Sequence, residues 1–337
     1  MSGFITILTA LVAFSLSAAT GLWLIPLLRR IHFGQISKSV GPTWHKKKEG
    51  TPLMGGFLFI IGSVTAAVAG FFALRLFGGN SSPYPVSDIA TTRLFMGLLM
   101  SLAFGMIGFM DDYVKVVKKN SMGISERERT IMEVLIAGAY LVGMYIAGDT
   151  STIVPIPFFG QLDMGLLYYP FAVIVIYGAI NAVNITDGID GLCGSVSFVA
   201  AIGFMLVSAL LMSPEMELLA TALAGGCLGF LLWNFHPAKI FMGDTGSLFL
   251  GGMLVSLAFG LSQPVLLLFM GITFVLETIS DILQIGFYKL THKRIFKMAP
   301  IHHHFEMCGW SETKIVLVFS TVAVIGSMLG VLSVMNL

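Results

Sequence analysis

Three short segments of this chain end an apolar run with carboxylates, glycine or asparagine, the residue types that hold a hard cation, move a proton or meet a phosphate. Asp111 and Asp112 close the apolar stretch ending Phe109-Met110. Neighbouring helical residues point about 100° apart, so the two carboxylates are expected to do different work. The same pair also suits a polar helix end, with Lys115 one turn on as its ion partner.

The second segment is Asn184-Ile185-Thr186-Asp187-Gly188-Ile189-Asp190-Gly191-Leu192. If a helical turn forms there, Asp187 and Asp190 share a face, and the glycines let backbone approach a ligand. A plain turn is the other reading, and a calcium loop is excluded because the distal bidentate Glu is missing. Such an acidic, glycine-punctuated loop suits magnesium and phosphate. The third segment runs from Asn234 through His236, Pro237, Phe241, Gly243, Asp244 and Thr245 to Leu248. Asp244 or Thr245 could simply cap the following helix; alternatively, the free amides at that helix start attract phosphate while Asp244 holds a cation against it.

Further along, Pro300-Ile301-His302-His303-His304-Phe305-Glu306 offers three imidazoles in a row. They cannot all reach one metal from a regular helix, which disfavours zinc, whereas donation to a diphosphate or a sugar fits them, as does a solvated tract. Glu277, Asp281, Gln284 and Tyr288 recur at helical spacing as one polar stripe inside an apolar segment. At about 2.5–3.5 kcal/mol per charge near the bilayer centre, such a stripe is expected to face the protein interior or a wet cleft. An internal salt bridge, to Lys289 for example, or a proton relay would both use it. Lys46-Lys47-Lys48 precede Pro52 and Gly55-Gly56; the basic run suits an anionic membrane surface, and the proline suits the first turn of a helix.

The composition says what must carry these groups. Of 337 residues, 56% are hydrophobic and 11% charged, and the mean hydropathy is +0.90. Soluble domains carry about 25% charged residues, so an ordinary soluble enzyme is excluded. A net charge of +1 gives no reason to expect nucleic acid. Three scattered cysteines, Cys193, Cys227 and Cys308, read as structural bystanders without a disulfide framework.

Ten segments are apolar enough to be read as membrane spans: Phe4–Leu28, Leu53–Phe77, Leu94–Met110, Ile131–Ala147, Pro170–Val183, Gly194–Met212, Leu218–Phe235, Ser247–Leu261, Val265–Tyr288 and Lys314–Val334. The first lacks the positive flank and short core of a secretory signal and is expected to be retained. With ten spans and both termini extracytoplasmic, every Lys and Arg except Arg75 and Arg93 falls in or beside a cytoplasmic connection. Chemistry is therefore expected on that face. The outer connections read as simple: a polar turn at Gly78–Pro83, a small hairpin over Ile153–Gly160, and Pro-containing turns at Pro214 and Pro264. No repeat divides the chain, so the expected fold class is an all-α polytopic membrane protein of one domain, 1–337.

Taken in order, Lys48 to Gly56, Asp111-Asp112 with Lys115, Asn184 to Leu192, Asn234 to Leu248 and Pro300 to Glu306 resemble the motifs of the polyprenyl-phosphate N-acetylhexosamine-1-phosphate transferases. The resemblance covers essentially the whole chain. It implies a Mg²⁺-dependent transferase of the bacterial cytoplasmic membrane. The His302-His303-His304 run and the Pro52 to Gly56 stretch favour the branch that moves phospho-N-acetylmuramoyl-pentapeptide from UDP-MurNAc-pentapeptide to undecaprenyl phosphate, the first membrane step of peptidoglycan synthesis. By the family pattern Asp244 binds magnesium, and Asp111, Asp112 and Asp244 are the catalytic carboxylates. Lys48, Lys115, Asn184, Asp187, Asp190, Asn234, Phe241, Gly243, Gln284, His302, His303 and His304 then surround the substrates. A homodimer in the membrane lipid, with no nucleic-acid partner, is compatible with that pattern. Leu53 stands where many members carry Thr, and Arg129 where many carry Lys. On the chemistry, Asp111 is expected to take or withhold the proton of the lipid phosphate, and a two-step route through a phosphoryl-aspartate is the alternative. Two other activities use some of the same residues: GlcNAc-1-phosphate transfer, and proton-coupled transport along the Glu277–Asp281 stripe.

Overall fold

In lipid no water satisfies an unpaired backbone group, so continuous apolar runs of about 20 residues, too long and too uniform for barrel strands, fold as helices. The computed structural model describes residues 2–31, 33–34, 48, 50–77, 88–118 and 123–335. Along them run α1 (Ser2–Arg30), α2 (Gly56–Phe77), α3 (Asp88–Val117), α4 (Glu126–Ile146), α5 (Tyr168–Thr186), α6 (Leu192–Leu210), α7 (Pro214–Asn234), α8 (Gly243–Gly260), α9 (Leu267–Met270), α10 (Ile272–Thr291), α11 (Ile301–Glu306) and α12 (Glu312–Met335). Between α4 and α5 lies the expected hairpin, β1 (Ile153–Ile156) antiparallel to β2 (Gly160–Asp163), with Ile153 opposite Asp163. The turn expected at Gly78–Pro83 and the run at Lys46 and Lys47 lie outside the described residues.

Each of the ten expected spans falls on helix, with two differences of kind. Among the described residues eight helices, α1 to α7 and α12, are long and apolar enough to cross a membrane, and α9 with α10 makes a ninth if counted as one span. That ninth is not the straight helix expected over Val265–Tyr288: it breaks at Gly271 and turns by 85°. The other, α8, is only 18 residues long and is buried along its whole length except at Asp244. It is a core helix, shielded from lipid by its neighbours.

Local signals explain several boundaries. Ser125 and Glu128 form a reciprocal capping box at the start of α4, and Pro214 occupies the first turn of α7. By contrast α8 has no capping side chain of its own. One large cluster of buried apolar side chains draws on every long helix. Lipid tails are as apolar as Leu, so helix association here rests on close packing of small residues. α3 lies along α8 in this way: Ser256 Oγ donates to the Gly97 carbonyl at 2.8 Å, and Gly108 sits so close to the Asp244 carbonyl that a Cβ would overlap it. Cys193 and Cys227 are buried and Cys308 is exposed, all three as free thiols.

Candidate active site

Asp111 and Asp112 are both buried at the last turns of α3, and they do point to different partners. Asp111 Oδ2 is ion-paired with Lys115 Nζ one turn on, at 2.5 Å, and its Oδ1 accepts from the Ile124 amide at 2.7 Å. Asp112 instead reaches across to α8. Its Oδ1 accepts from the Asp244 amide at 3.1 Å, and its Oδ2 from the Thr245 amide and hydroxyl at 2.9 and 2.7 Å. Neither Asp244 nor Thr245 caps α8, as the sequence had allowed: a carboxylate from another helix satisfies the free amides of the first turn.

That arrangement sets Asp244 beside Asp111. Lys115 Nζ lies 2.6 Å from Asp244 Oδ2, so one ammonium bridges the two carboxylates. Asp244 Oδ1 accepts from Asn184 Nδ2 at 2.9 Å, and the same amide nitrogen donates to Ser247 Oγ at 2.8 Å. Arg129, from the first turn of α4, completes the cluster: it donates to Glu133 at 2.9 Å and to Asn184 Oδ1 at 3.0 Å, and lies 3.7 Å from Asp244. Asn181 holds the other oxygen of Glu133 at 2.9 Å. Glu133, Asn181, Ser247 and the donation of the Thr245 hydroxyl to Asp112 are not among the sequence expectations. The Glu133 signal was nonetheless there, as an acid one helical turn beyond Arg129 inside an apolar span.

The Asn184–Leu192 loop does not form the helical turn that would put Asp187 and Asp190 on one face. Asp187 ends α5 and Gly191 takes a left-handed φ of 79° before α6, so the two acids part. Asp187 is half-buried, and its carboxyl is pushed up to about 8 by burial, then by the charges of Asp244, Asp112 and Asp190, with Lys48 opposing. Asp190 is buried in a second cluster. Lys48 Nζ lies 2.7 Å from both Asp190 Oδ1 and Glu312 Oε2, and Asp190 Oδ2 meets His236 Nδ1 at 3.0 Å and the Ala238 amide at 2.9 Å. Burial works to lower the Lys48 ammonium, but hydrogen bonds and charge from Asp190 and Glu312 outweigh it, so its value is raised and it stays charged. Asn234 stands behind, accepting from Gly191 and donating to the Ile240 carbonyl. The backbone of Phe241 is paired with the start of α2, taking Gly55 N at 2.7 Å and giving its own N–H to Pro52. Gly243, at φ 71°, turns the chain against Asp112 Oδ2, where an added Cβ would stand 2.5 Å away.

The histidines separate. His302 is fully buried and its Nδ1 meets Glu277 Oε2 at 3.0 Å, so it sits behind the Asp187 loop and not on an open surface. His303 Nδ1 meets Glu306 at 2.5 Å, and His304 accepts from the Lys297 amide at 3.1 Å. The carboxamide of Gln284 is taken up by the backbone of Ile295 and Phe296. Of the polar stripe on α10, Glu277 is buried, Asp281 and Gln284 are half-buried and Tyr288 is exposed, and the partner of Glu277 is His302, not Lys289.

Among the described residues, two acidic groups could hold a cation. In the first, the ligand atoms of Asp190, His236 and Glu312 lie within 4.8 Å of one another, with Lys48 already against two of them. In the second, Asp111 and Asp244 present only carboxylate oxygens around a single bridging ammonium. An all-oxygen donor set of this kind fits a hard divalent ion. On the flank of the bundle a groove of ≈ 240 Å³ runs between α5 and α10, lined by apolar side chains including Val175, Ala179, Phe274 and Ile279.

The chain as a whole has relatives among known sequences. Residues 94–262, from α3 through α8, match the family model described as glycosyl transferase family 4. The chain is 43% identical to a protein of Heliobacterium modesticaldum named phospho-N-acetylmuramoyl-pentapeptide-transferase, over 96% of this chain and 97% of that one. Proteins of the same name from Desulforudis audaxviator, 42% identical over 95% of each chain, and Acetivibrio thermocellus, 41% identical over 95% of this chain and 92% of the relative, are similarly close. With its multi-pass helical fold and its acidic cluster at one end of the bundle, the chain belongs to glycosyl transferase family 4, alongside the phospho-N-acetylmuramoyl-pentapeptide-transferases.

Proposed function

We propose that the protein transfers phospho-N-acetylmuramoyl-pentapeptide from UDP-MurNAc-pentapeptide to undecaprenyl phosphate in the bacterial cytoplasmic membrane, releasing UMP. The observation that carries this reading is the Asp111–Lys115–Asp244 bridge beside Arg129, at the end of a bundle whose flank holds an apolar groove. Relatives of that name, matched nearly end to end, support it over GlcNAc-1-phosphate transfer and over transport. A lipid phosphate and a nucleotide diphosphate must approach despite like charge, and here cations sit where carboxylates converge.

In the reaction a lipid-phosphate oxygen forms a bond to the β-phosphorus while the bond from that phosphorus to the bridging oxygen breaks, and the electron pair leaves with UMP. Asp244 and Asp111 would hold magnesium, which when bound neutralises charge on the diphosphate oxygens. Lys115 and Arg129 turn positive donors toward the phosphates, and Asn184 fixes the Asp244 carboxylate. Asp111 accepts any proton left on the lipid phosphate. Asp112 acts through α8 by holding its first turn, and with it Asp244, in place. Direct transfer is the proposed route, with a phosphoryl-aspartate as the alternative. The groove between α5 and α10 suits the polyprenyl chain.

Purified protein incubated with undecaprenyl phosphate, Mg²⁺ and either UDP-MurNAc-pentapeptide or UDP-GlcNAc tests this directly. UMP release and a lipid-linked product with the muramoyl substrate alone are expected, with loss of turnover in EDTA and recovery on adding Mg²⁺. Turnover of UDP-GlcNAc alone, or of neither nucleotide, would overturn the reading.

A further inference from the structure

Glu277 and His302 are the most deeply buried ionisable pair among the described residues, each at 0% exposure, and the proposed reaction makes no use of them. Glu277 Oε2 accepts from His302 Nδ1 at 3.0 Å and faces the His302 amide at 3.4 Å. With the carboxylate on that side, the Nδ1–H form is fixed. The opposite edge of the ring is unusual: His302 Nε2 is buried and, among the described residues, has no hydrogen-bond partner, and the same holds for Glu277 Oε1. A buried polar atom left so costs free energy unless its placement serves another purpose. Nε2 is pressed against Gly188, where a Cβ would overlap it, so the imidazole edge is the floor on which the Asp187-Gly188 corner rests.

The corner sits between the two halves of the candidate site. Asp187 precedes it, its carboxyl within reach of the Asp244 charge, and Asp190 follows it, gripping Lys48 and His236. The far half of the loop is tied to other helices, Asp190 N–H to Glu312 at 2.9 Å and Gly191 N–H to Asn234 at 3.0 Å, whereas the Gly188 amide bonds only to its neighbour Thr186, so the height of the Gly188 corner is set from below. Glu277 lies on α10, past the 85° break at Gly271, and α11 delivers His302 at its second residue. We infer that Glu277, acting through the imidazole of His302, is a positioning residue for the Asp187–Asp190 loop of the active site. The inference rests on the transferase reading for its kinetic consequence, though not for its structural one.

Two measurements on the full-length protein test it separately. In hydrogen exchange read by mass spectrometry, Glu277→Ala and His302→Ala should each speed exchange of the 187–189 amides about tenfold or more, while Glu277→Gln, whose carboxamide oxygen still accepts from Nδ1, should stay within about threefold of wild type. In turnover assays the two alanine variants should lose about 10- to 100-fold in kcat/KM for the nucleotide substrate, keep KM for undecaprenyl phosphate within about twofold, and combine without further loss. Glu277→Gln should recover most of the activity. Alanine variants that lower yield but show wild-type exchange in the loop and wild-type kinetics per folded molecule would reduce the pair to a structural role and overturn the inference. If neither alanine variant accumulates, Gly188→Ala meets the same contact from the loop side, and its wild-type turnover would overturn it equally. A wild-type protein with no transfer activity would defeat the function reading, leaving the exchange result to decide this one.

Discussion

Replacing Asp112 by Asn isolates the division of labour between the paired carboxylates. Asp112 accepts three hydrogen bonds from the first turn of α8. An asparagine keeps one acceptor oxygen, and its amide nitrogen faces an N–H donor on the other side, so at least one bond to a charged acceptor is lost, worth about 1.5–3 kcal/mol. The charge at the helix start goes too, worth about 0.3–1 kcal/mol and up to ~2 when partly buried. Together these predict a loss of about 2–4 kcal/mol in stability. Since that turn carries Asp244, a displacement of about 1 Å there is expected to cost roughly 100-fold in turnover. Thermal unfolding in detergent and UMP release read the two effects on the same sample. Thr245→Val removes only the 2.7 Å hydroxyl donor and should cost about 1 kcal/mol, and far less of that when made on top of Asp112→Asn. If Asp112→Asn melts with the wild type and turns over within about twofold of it, or if the two substitutions are additive, the cross-helix cap is not what holds Asp244.

Lys115→Met withdraws the ammonium between Asp111 and Asp244 and leaves two carboxylates facing each other; turnover should fall by about 100-fold or more at saturating Mg²⁺, and a rate near wild type would remove Lys115 from the reaction. Asp187 gives a pH signature: its folded value near 8 lies above the ordinary 3.8, so the folded state binds a proton that the unfolded chain has released. Its contribution is therefore greatest below 3.8, falls as pH rises toward about 8, and is flat beyond. Asp187→Asn should flatten the fall in melting temperature between those values, and an unchanged slope would refute the assignment. Gly108→Ala places a Cβ into the Asp244 carbonyl and should force α3 and α8 apart, costing stability by about 1–3 kcal/mol and most of the activity; a fully active, equally stable variant would show that the two backbones need not touch.

Apolar run length and composition were enough to define the helices, because continuous apolar runs of about 20 residues in lipid satisfy their backbone as helices, where a barrel would need short segments of alternating polarity. The residue types of the candidate site were legible for a related reason: carboxylates at the edge of apolar runs are costly and stand out. Even the i, i+4 pairs, Asp111 with Lys115 and Arg129 with Glu133, follow from helical spacing alone. What spacing could not give is any contact between segments far apart in the chain. That Asp112 caps α8, that Lys48 joins Asp190 to Glu312, that His302 goes under Gly188, and that α10 breaks away at Gly271 all depend on which helix ends meet. Those meetings are decided by where small residues let backbones approach, a property of the packed bundle and not of any one segment.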